Sequence, residues 1–310
     1  MSGYKYLFGP VPSRRLGASL GVSPIPERTC NYSCVYCQLG RTLRMTNTRQ
    51  EFFPLEEILA EFREYLQGSI PFDAVTVVGE GEPTLYSRLG ELIAGLKKET
   101  DKPVAVITNG ALLYDAEMRR ELMEADIVLP SLDAVTEEQY RKIDRPMGSI
   151  VFAEMAEGLR QFAREYQGQL WIEIMLVDGM NDSPEDIAAF KEFLGTIDYD
   201  RVYLNTPVRP PAEGFVHTSA PERIDLAARE LGGISIDQLT SGSFFSEVED
   251  PYEAILSIAR RHPMNQFEVE RFLEAREIPA DQRQALMERL GQDPGITVVP
   301  YKGIITYRVN

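Results

Sequence analysis

Residues 73–83 read DAVTVVGEGEP, a short β-branched run closed abruptly by glycines, carboxylates and a proline. A run of this length suits a strand buried on both faces. The glycines suit a backbone that must turn or approach something closely. The pattern recurs in VAVITNG (104–110), DIVLPSLD (126–133), LWIEIMLVDG (170–179) and RVYLNTP (201–207), and LGASLGVSP (16–24) supplies an earlier first strand. Amphipathic stretches lie between them, at 54–68, 86–99, 115–124, 136–144, 150–166, 183–194 and 221–231. In PLEEILAEFREYLQG, Leu55, Ile58, Leu59, Phe62 and Leu66 fall on one helical face, with Pro54 in the first turn and Gly68 at the stop. Strand then helix, repeated about six times, predicts a parallel α/β architecture. Six units fall short of an eightfold barrel, so the expected fold is an open, partial (β/α)6 TIM-like barrel. Its site belongs at the C-terminal ends of the strands.

After Gly233 the rhythm changes. Three helical stretches (PYEAILSIARRH, NQFEVERFLEA and PADQRQALMERLG) precede GITVVPYKGIITYRV, two alternating strands around a Lys-Gly turn. That order predicts a small winged-helix-like domain over 234–310, following a barrel over 1–233.

The 310 residues are 44% hydrophobic and 26% charged, ordinary values for a globular protein. No apolar run approaches the roughly 18 residues of a membrane span. The N-terminal MSGYKYLFGPVPSRR lacks the apolar core of a secretory signal, so the expected compartment is the cytoplasm. The net charge of −16 is uneven. Residues 1–50 carry seven basic side chains and one acidic, a net of +6, which leaves −22 on the rest. A solvated acidic surface accounts for the majority. The basic segment points to an anion nearby.

That segment also holds all three cysteines, in CNYSCVYCQLG at 30–40. Clustered this way they cannot form a disulfide framework, which fits a reducing compartment. Cys30, Cys34 and Cys37 give a C-x3-C-x2-C triad on one loop. A zinc or iron–sulfur site of four protein ligands lacks its fourth, and the two histidines, His217 and His262, lie far along the chain in structural or surface roles. A zinc knob remains open on spacing alone. Three thiolates on a [4Fe–4S] cluster would leave one iron for an exogenous ligand.

This signature, with Tyr36 before the last cysteine, resembles that of the radical S-adenosylmethionine (SAM) superfamily. The resemblance implies a [4Fe–4S] cluster on Cys30, Cys34 and Cys37, with SAM chelating the open iron through its amino and carboxylate groups. Reductive cleavage of SAM then gives methionine and a 5′-deoxyadenosyl radical that abstracts a substrate hydrogen. Gly79-Glu80-Gly81-Glu82-Pro83 stands where the family's Gly-Gly-Glu motif positions the SAM amino group. Thr108-Asn109-Gly110 and Ser131-Leu132-Asp133 end the next two strands, where the family binds the SAM ribose and carboxylate. Glu173, Asn181 and Asp182 flank the fifth run within reach of the same rim. For each motif the plainer alternative is a turn or strand cap, with a buried salt bridge for Glu173 and a helix N-cap for Asp182. Arg14, Arg15, Arg41 and Arg145 suit either neutralisation of cluster and ligand or ion pairs to the acidic body.

FGPVPSRRLGASLGV before the cysteines and QLGRT after them resemble a branch related to the wyosine-type tRNA-modifying Fe–S oxidoreductases, over about residues 7–210. The first expectation is therefore a radical SAM enzyme acting on a small molecule or peptide, with a flavodoxin or ferredoxin-type electron donor. Wyosine-type tRNA base modification comes second, because no cysteine remains for a further cluster. Residues 236–310 carry 8 basic and 12 acidic side chains, a net of −4 that suits nucleic acid poorly. The same balance weighs against a third reading, a non-enzymatic Fe–S regulator that reads DNA through its winged helix. A protein partner at the tail fits it better.

Overall fold

The computed structural model describes residues 4–236, 244–246, 248–301 and 303–310. The first strands are β1 (Leu7–Ser13), β2 (Gly17–Val22) and two short ones, β3 (Thr29–Cys30) and β4 (Arg44–Met45). β5 (Ala74–Val77), β6 (Val104–Thr108), β7 (Ile127–Pro130), β8 (Gln169–Met175), β9 (Arg201–Asn205) and β10 (Ile234–Ser235) follow. One eight-stranded sheet runs β1-β2-β5-β6-β7-β8-β9-β10, while β3 and β4 form a separate parallel pair. From β2 to β10 every pairing is parallel, and β1 alone is antiparallel. The sheet curls into a partial barrel, as the sequence predicts. Six of its parallel strands, β2 and β5 to β9, carry the strand–helix rhythm, and β10 is a two-residue addition.

The edge strand β1 escapes the sequence pattern because Pro10 and Pro12 interrupt it. An edge tolerates prolines, since one row of its backbone groups lies outside the ladder.

The helices are α1 (Leu55–Tyr65), α2 (Leu89–Glu99), α3 (Ala116–Leu122), α4 (Glu137–Ile143), α5 (Phe152–Glu165), α6 (Pro184–Leu194) and α7 (Pro221–Leu231). β5 shows how they meet the sheet. All four of its residues are buried: Val75 and Val77 join the core under the helices, while Ala74 joins the layer of Leu129, Trp171 and Tyr203 on the other face. Two-sided burial is why the strand reads as a continuous apolar run. On α1, Ile58 and Phe62 are fully buried against this core, each contributing about 1.5–3 kcal/mol. Phe62→Ala would cost about 3–5 kcal/mol.

Beyond Ser235 come α8 (Pro251–Ala259), β11 (Met264–Asn265), α9 (Gln266–Ala275), α10 (Ala280–Gln292), β12 (Ile296–Tyr301) and β13 (Ile304–Val309). The expected three helices and hairpin are present. The short β11, absent from the sequence reading, pairs with β13 to make a three-stranded antiparallel sheet. Lys302, half of the expected turn, lies outside the described residues. Tyr252, Ile255, Val269, Phe272 and Leu290 give this segment a core of its own, which Val11 of β1 joins. Arg261 donates to the Lys5 carbonyl at 2.7 Å, and the Phe245 amide to that of Pro10 at 3.0 Å. Across the barrel, Tyr301 donates to the Pro207 carbonyl at 2.8 Å and Arg209 pairs with Glu268 at 3.0 Å. The C-terminal segment thus lies over the ends of the strands, held at β1 and just past β9.

Candidate functional site

The cysteine loop leaves β2 and closes over the C-terminal ends of the parallel strands. The Thr29 carbonyl accepts from the Glu82 amide at 3.1 Å, in a bridge between Thr29 and Gly81. A Cβ on Gly81 would stand 1.8 Å from that carbonyl oxygen. Only glycine lets the two backbones meet, which gives the GEGEP stretch one firm physical reason.

Cys30, Cys34 and Cys37 line one cavity of about 430 Å³ between the strand ends and the C-terminal segment. Hydrogen-bond donors converge on Cys30 Sγ: the Tyr32 amide at 3.4 Å and Asn109 Nδ2 at 3.7 Å. Burial is the first cause that pushes all three thiols up, reinforced by Glu82 at Cys30 and by Asp144 at Cys34. At Cys37 it is opposed by the Leu39 and Gly40 amides and by Arg308 and Arg28. Thiolates here therefore need positive charge beside them, which a bound metal centre would supply. Among the described residues no three His, Cys, Asp or Glu side chains converge on a single ion. A cubane asks for a different arrangement, because each thiolate meets its own iron. The donor set and cavity fit a [4Fe–4S] cluster.

The expected rim divides in two. Tyr36, Gly79, Glu80, Gly81 and Glu173 line the cavity with the cysteines. Glu82, Thr108, Asn109, Ser131 and Asp133 are not among its lining residues; they bond to their neighbours behind it. The buried Glu82 accepts from the Thr84 amide at 3.0 Å, the Thr84 hydroxyl at 2.6 Å, the Thr108 hydroxyl at 2.6 Å and the Asn109 amide at 2.8 Å. Asn109 donates to Asn31 Oδ1 at 2.7 Å, and Asn31 to Asn47 Oδ1 at 3.0 Å. Ser131 bridges Glu173, joining β7 to β8 beyond their ladder. Asp133 accepts from the Met175 amide at 2.7 Å and from the Tyr36 hydroxyl. Burial raises Asp133 to about 6 and also raises its buried neighbour Asp144 well above the usual carboxylate range, with Asp133 the second cause.

The flanking residues resolve mostly into ion pairs. Arg15 pairs with Glu173 inside the cavity wall, and burial lowers it to about 10. Arg41 and Arg145 both bind Glu213, whose amide donates to the Val35 carbonyl within the cysteine loop at 3.1 Å. Arg14 lines the cavity and donates to the Ile236 carbonyl at 3.3 Å. Asn181 is buried and donates to the Asp133 and Met175 carbonyls at 2.8 Å each. The cap of α6 is Ser183 in a capping box with Asp186, so Asp182 is not the N-cap; it accepts from the Gly179 amide at 2.9 Å.

His217 is exposed, whereas His262 lines the cavity. Sequence reasoning missed the other lining residues of the C-terminal segment, Ile236, Phe244, Arg261 and Glu268. Arg261 pairs with Glu80 at 3.5 Å and closes the cavity from above. No local signal marks such residues, because only the fold brings them to the mouth.

A family model, the Radical SAM superfamily, matches residues 25–191. The UPF0026 protein MJ1312 of Methanocaldococcus jannaschii is 33% identical over 98% of this chain and 95% of its own. A protein of Brachyspira hyodysenteriae named GTPase Obg is 43% identical over 66% of this chain, which spans 30% of that protein's length. Among solved structures, native anSMEcpe with bound AdoMet superimposes with a TM-score of 0.52 at 18% identity, over 69% of this chain and 59% of that one. That likeness is one of fold. The cysteine triad, the partial barrel and the family match lead to one statement: the chain belongs to the radical SAM superfamily, and within it to the UPF0026 proteins.

Proposed function

We propose that this protein is a [4Fe–4S]-dependent radical SAM enzyme acting on a small molecule or peptide. The observation that carries the reading is the single cavity that Cys30, Cys34 and Cys37 share with Tyr36, Gly79, Glu80, Gly81 and Glu173. When bound, the cluster and SAM supply reductive cleavage to methionine and a 5′-deoxyadenosyl radical, which abstracts hydrogen from the substrate. The chain's part is to hold and orient. The three cysteines hold the cluster, with the Tyr32 amide and Asn109 donating to Cys30. Gly79, Glu80 and Gly81 present backbone and carboxylate to the SAM amino group. Glu82, Thr108, Asn109, Ser131 and Asp133 fix that wall from behind. Arg261, His262 and Phe244 cover the mouth and exclude water, which favours radical chemistry on a substrate small enough to enter.

We read the segment beyond Ser235 as a winged-helix-like domain that serves as this cover and as a surface for a protein partner; Ile234 and Ser235, which the sequence grouped with it, pair with β9 in the barrel sheet. We infer a cytoplasmic location from the reduced thiols that the chemistry requires; among the described residues no helix is long and apolar enough to cross a membrane. Wyosine-type tRNA modification is the second reading, favoured by the net +6 of residues 1–50.

The test is anaerobic reconstitution. About four irons and four sulfides per chain are expected. SAM should perturb the reduced cluster's electron paramagnetic resonance spectrum, and dithionite with SAM should release 5′-deoxyadenosine. Tightly held zinc without sulfide would end the reading.

A further inference from the structure

The outer side of the cysteine loop is unlike the rest of this acidic protein. Leu43 is 67% exposed and Phe215 56%, the two largest values among the exposed large hydrophobic residues, and Met45 is 41% exposed. Arg44 stands between Leu43 and Met45 in the chain, and Arg145 lies beside Phe215. Arg41 and Arg145 share the single carboxylate of Glu213, which leaves one positive charge over, and the Arg145 guanidinium lies 5.9 Å from the Phe215 ring centroid. The exposed Arg44 meets no carboxylate within ion-pair distance among the described residues; its guanidinium lies 5.6 Å from the centroid of Phe52. Exposed apolar side chains flanked by surplus positive charge, on a chain of net −16, mark an interaction face.

This face backs directly onto the cysteines. Met45 of β4 stands in register with Cys30 of β3, and the Thr46 amide donates to the Cys30 carbonyl at 3.1 Å. The Leu43 and Arg44 amides both donate to the Arg28 carbonyl, at 3.0 and 3.1 Å. On the other flank, Glu213 bonds to Val35, between Cys34 and Cys37. The cavity side of the loop faces SAM and substrate in the proposed function. The outer side remains for electron entry.

We propose that Leu43, Arg44, Met45 and Phe215 form the docking face for a small acidic one-electron carrier protein that reduces the cluster through the Cys30 side of the loop. The proposal rests on the radical SAM reading above. One electron leaves the reduced carrier and enters the cluster; no bond forms or breaks, and the carrier is oxidised by that one electron. Charge complementarity selects the partner: an acidic carrier is repelled by the acidic majority of this protein and attracted to the surplus cations of this face.

The experiment follows cluster bleaching by stopped flow in reconstituted holoenzyme, with reduced recombinant flavodoxin as the probe and dithionite as the small-molecule reference. In Leu43→Glu/Arg44→Glu, and separately in Phe215→Glu, flavodoxin-driven reduction should slow on the order of tenfold or more and lose its salt dependence. Iron content and the dithionite rate should match wild type. Unchanged flavodoxin kinetics in both variants overturns the proposal, as does a dithionite rate that falls in step. Submicromolar binding of bulk tRNA abolished by the same substitutions reassigns the face to RNA and overturns it too. A wild-type protein with no reducible cluster sinks the proposed function and this inference together; a reducible cluster with patch-independent kinetics sinks this inference alone.

Discussion

The Glu82 carboxylate accepts from the Thr108 hydroxyl at 2.6 Å, so the end of β6 is fastened to the turn that follows β5. The same carboxylate takes three further donors, and all of them are buried or half-buried. Glu82→Ala strands four donors and should cost about 3 kcal/mol or more. Iron should be lost along with SAM affinity, because Asn109 reaches Cys30 from this anchor. Glu82→Gln separates fold from site. Its oxygen serves the Thr84 and Thr108 donors, while its amide group faces the Asn109 N–H, donor against donor. The variant should melt within a few degrees of wild type and yet retain less iron after desalting. Iron content equal to wild type in both variants would show that Glu82 does not support the cysteine loop.

Gly81→Ala makes a sharper test of the same wall. The new Cβ would fall inside the Thr29 carbonyl, a backbone atom that cannot swing aside. The cysteine loop must lift by more than an ångström. Far-UV circular dichroism should be unchanged, because β5 ends at Val77 and the barrel core is untouched. Cluster assembly should fail or yield substoichiometric iron. Full iron loading would mean that the loop is more pliable than this contact implies.

The barrel was legible because two-faced burial writes each strand as an apolar run and each helix as a stripe. The cysteine loop was legible because its three cysteines are local in the chain. β1 was hidden by Pro10 and Pro12. The rim motifs were located at the right strand ends, but the direction of each side chain was not legible. Glu80 and Glu82 are two residues apart, yet the first lines the cavity beside Arg261 and the second turns behind it onto Thr84, Thr108 and Asn109, partners that the sequence does not announce. Arg261 and His262 were illegible for another reason. Their nearest site partners, Glu80 and Arg209, lie far away in the chain, and sequence periodicity carries no information at that separation.

His262 gives the C-terminal cover a pH dependence. Burial, and then the neighbouring Arg209 guanidinium, hold its pKa well below the ordinary 6.5. It is therefore neutral when folded, with Nε2 free to accept from Arg209 at 2.6 Å. Below pH 6.5 the unfolded chain binds a proton that the folded chain refuses. Stability from this residue is thus full above about 6.5 and falls as the pH drops through that value, by at most about 1.4 kcal/mol per pH unit. Thermal melts at pH 7.5 and 5.5 should show a larger acid loss in wild type than in His262→Gln. Equal losses would show that His262 titrates freely and the cover is not tied through it.

The last prediction separates a small substrate from RNA. In a winged-helix reading the third helix, α10, would be the one to enter a groove. It carries Asp281 and Glu288 against Arg283 and Arg289, a net of zero. Both arginines are engaged: Arg283 pairs with Glu274 at 3.2 Å, and the Arg289 guanidinium lies 3.5 Å from the Tyr252 ring centroid. Binding driven by counterion release needs several cations free to meet phosphates, and its salt dependence counts them. A helix of this charge on a segment of net −4 supplies almost none. Bulk tRNA should therefore bind no tighter than the non-specific range of ~10⁻⁴ to 10⁻⁶ M at physiological salt. Titrations at two salt concentrations with wild type and Arg283→Ala/Arg289→Ala should agree within error. Submicromolar, steeply salt-dependent binding that this double substitution weakens would put tRNA ahead of the small-molecule reading.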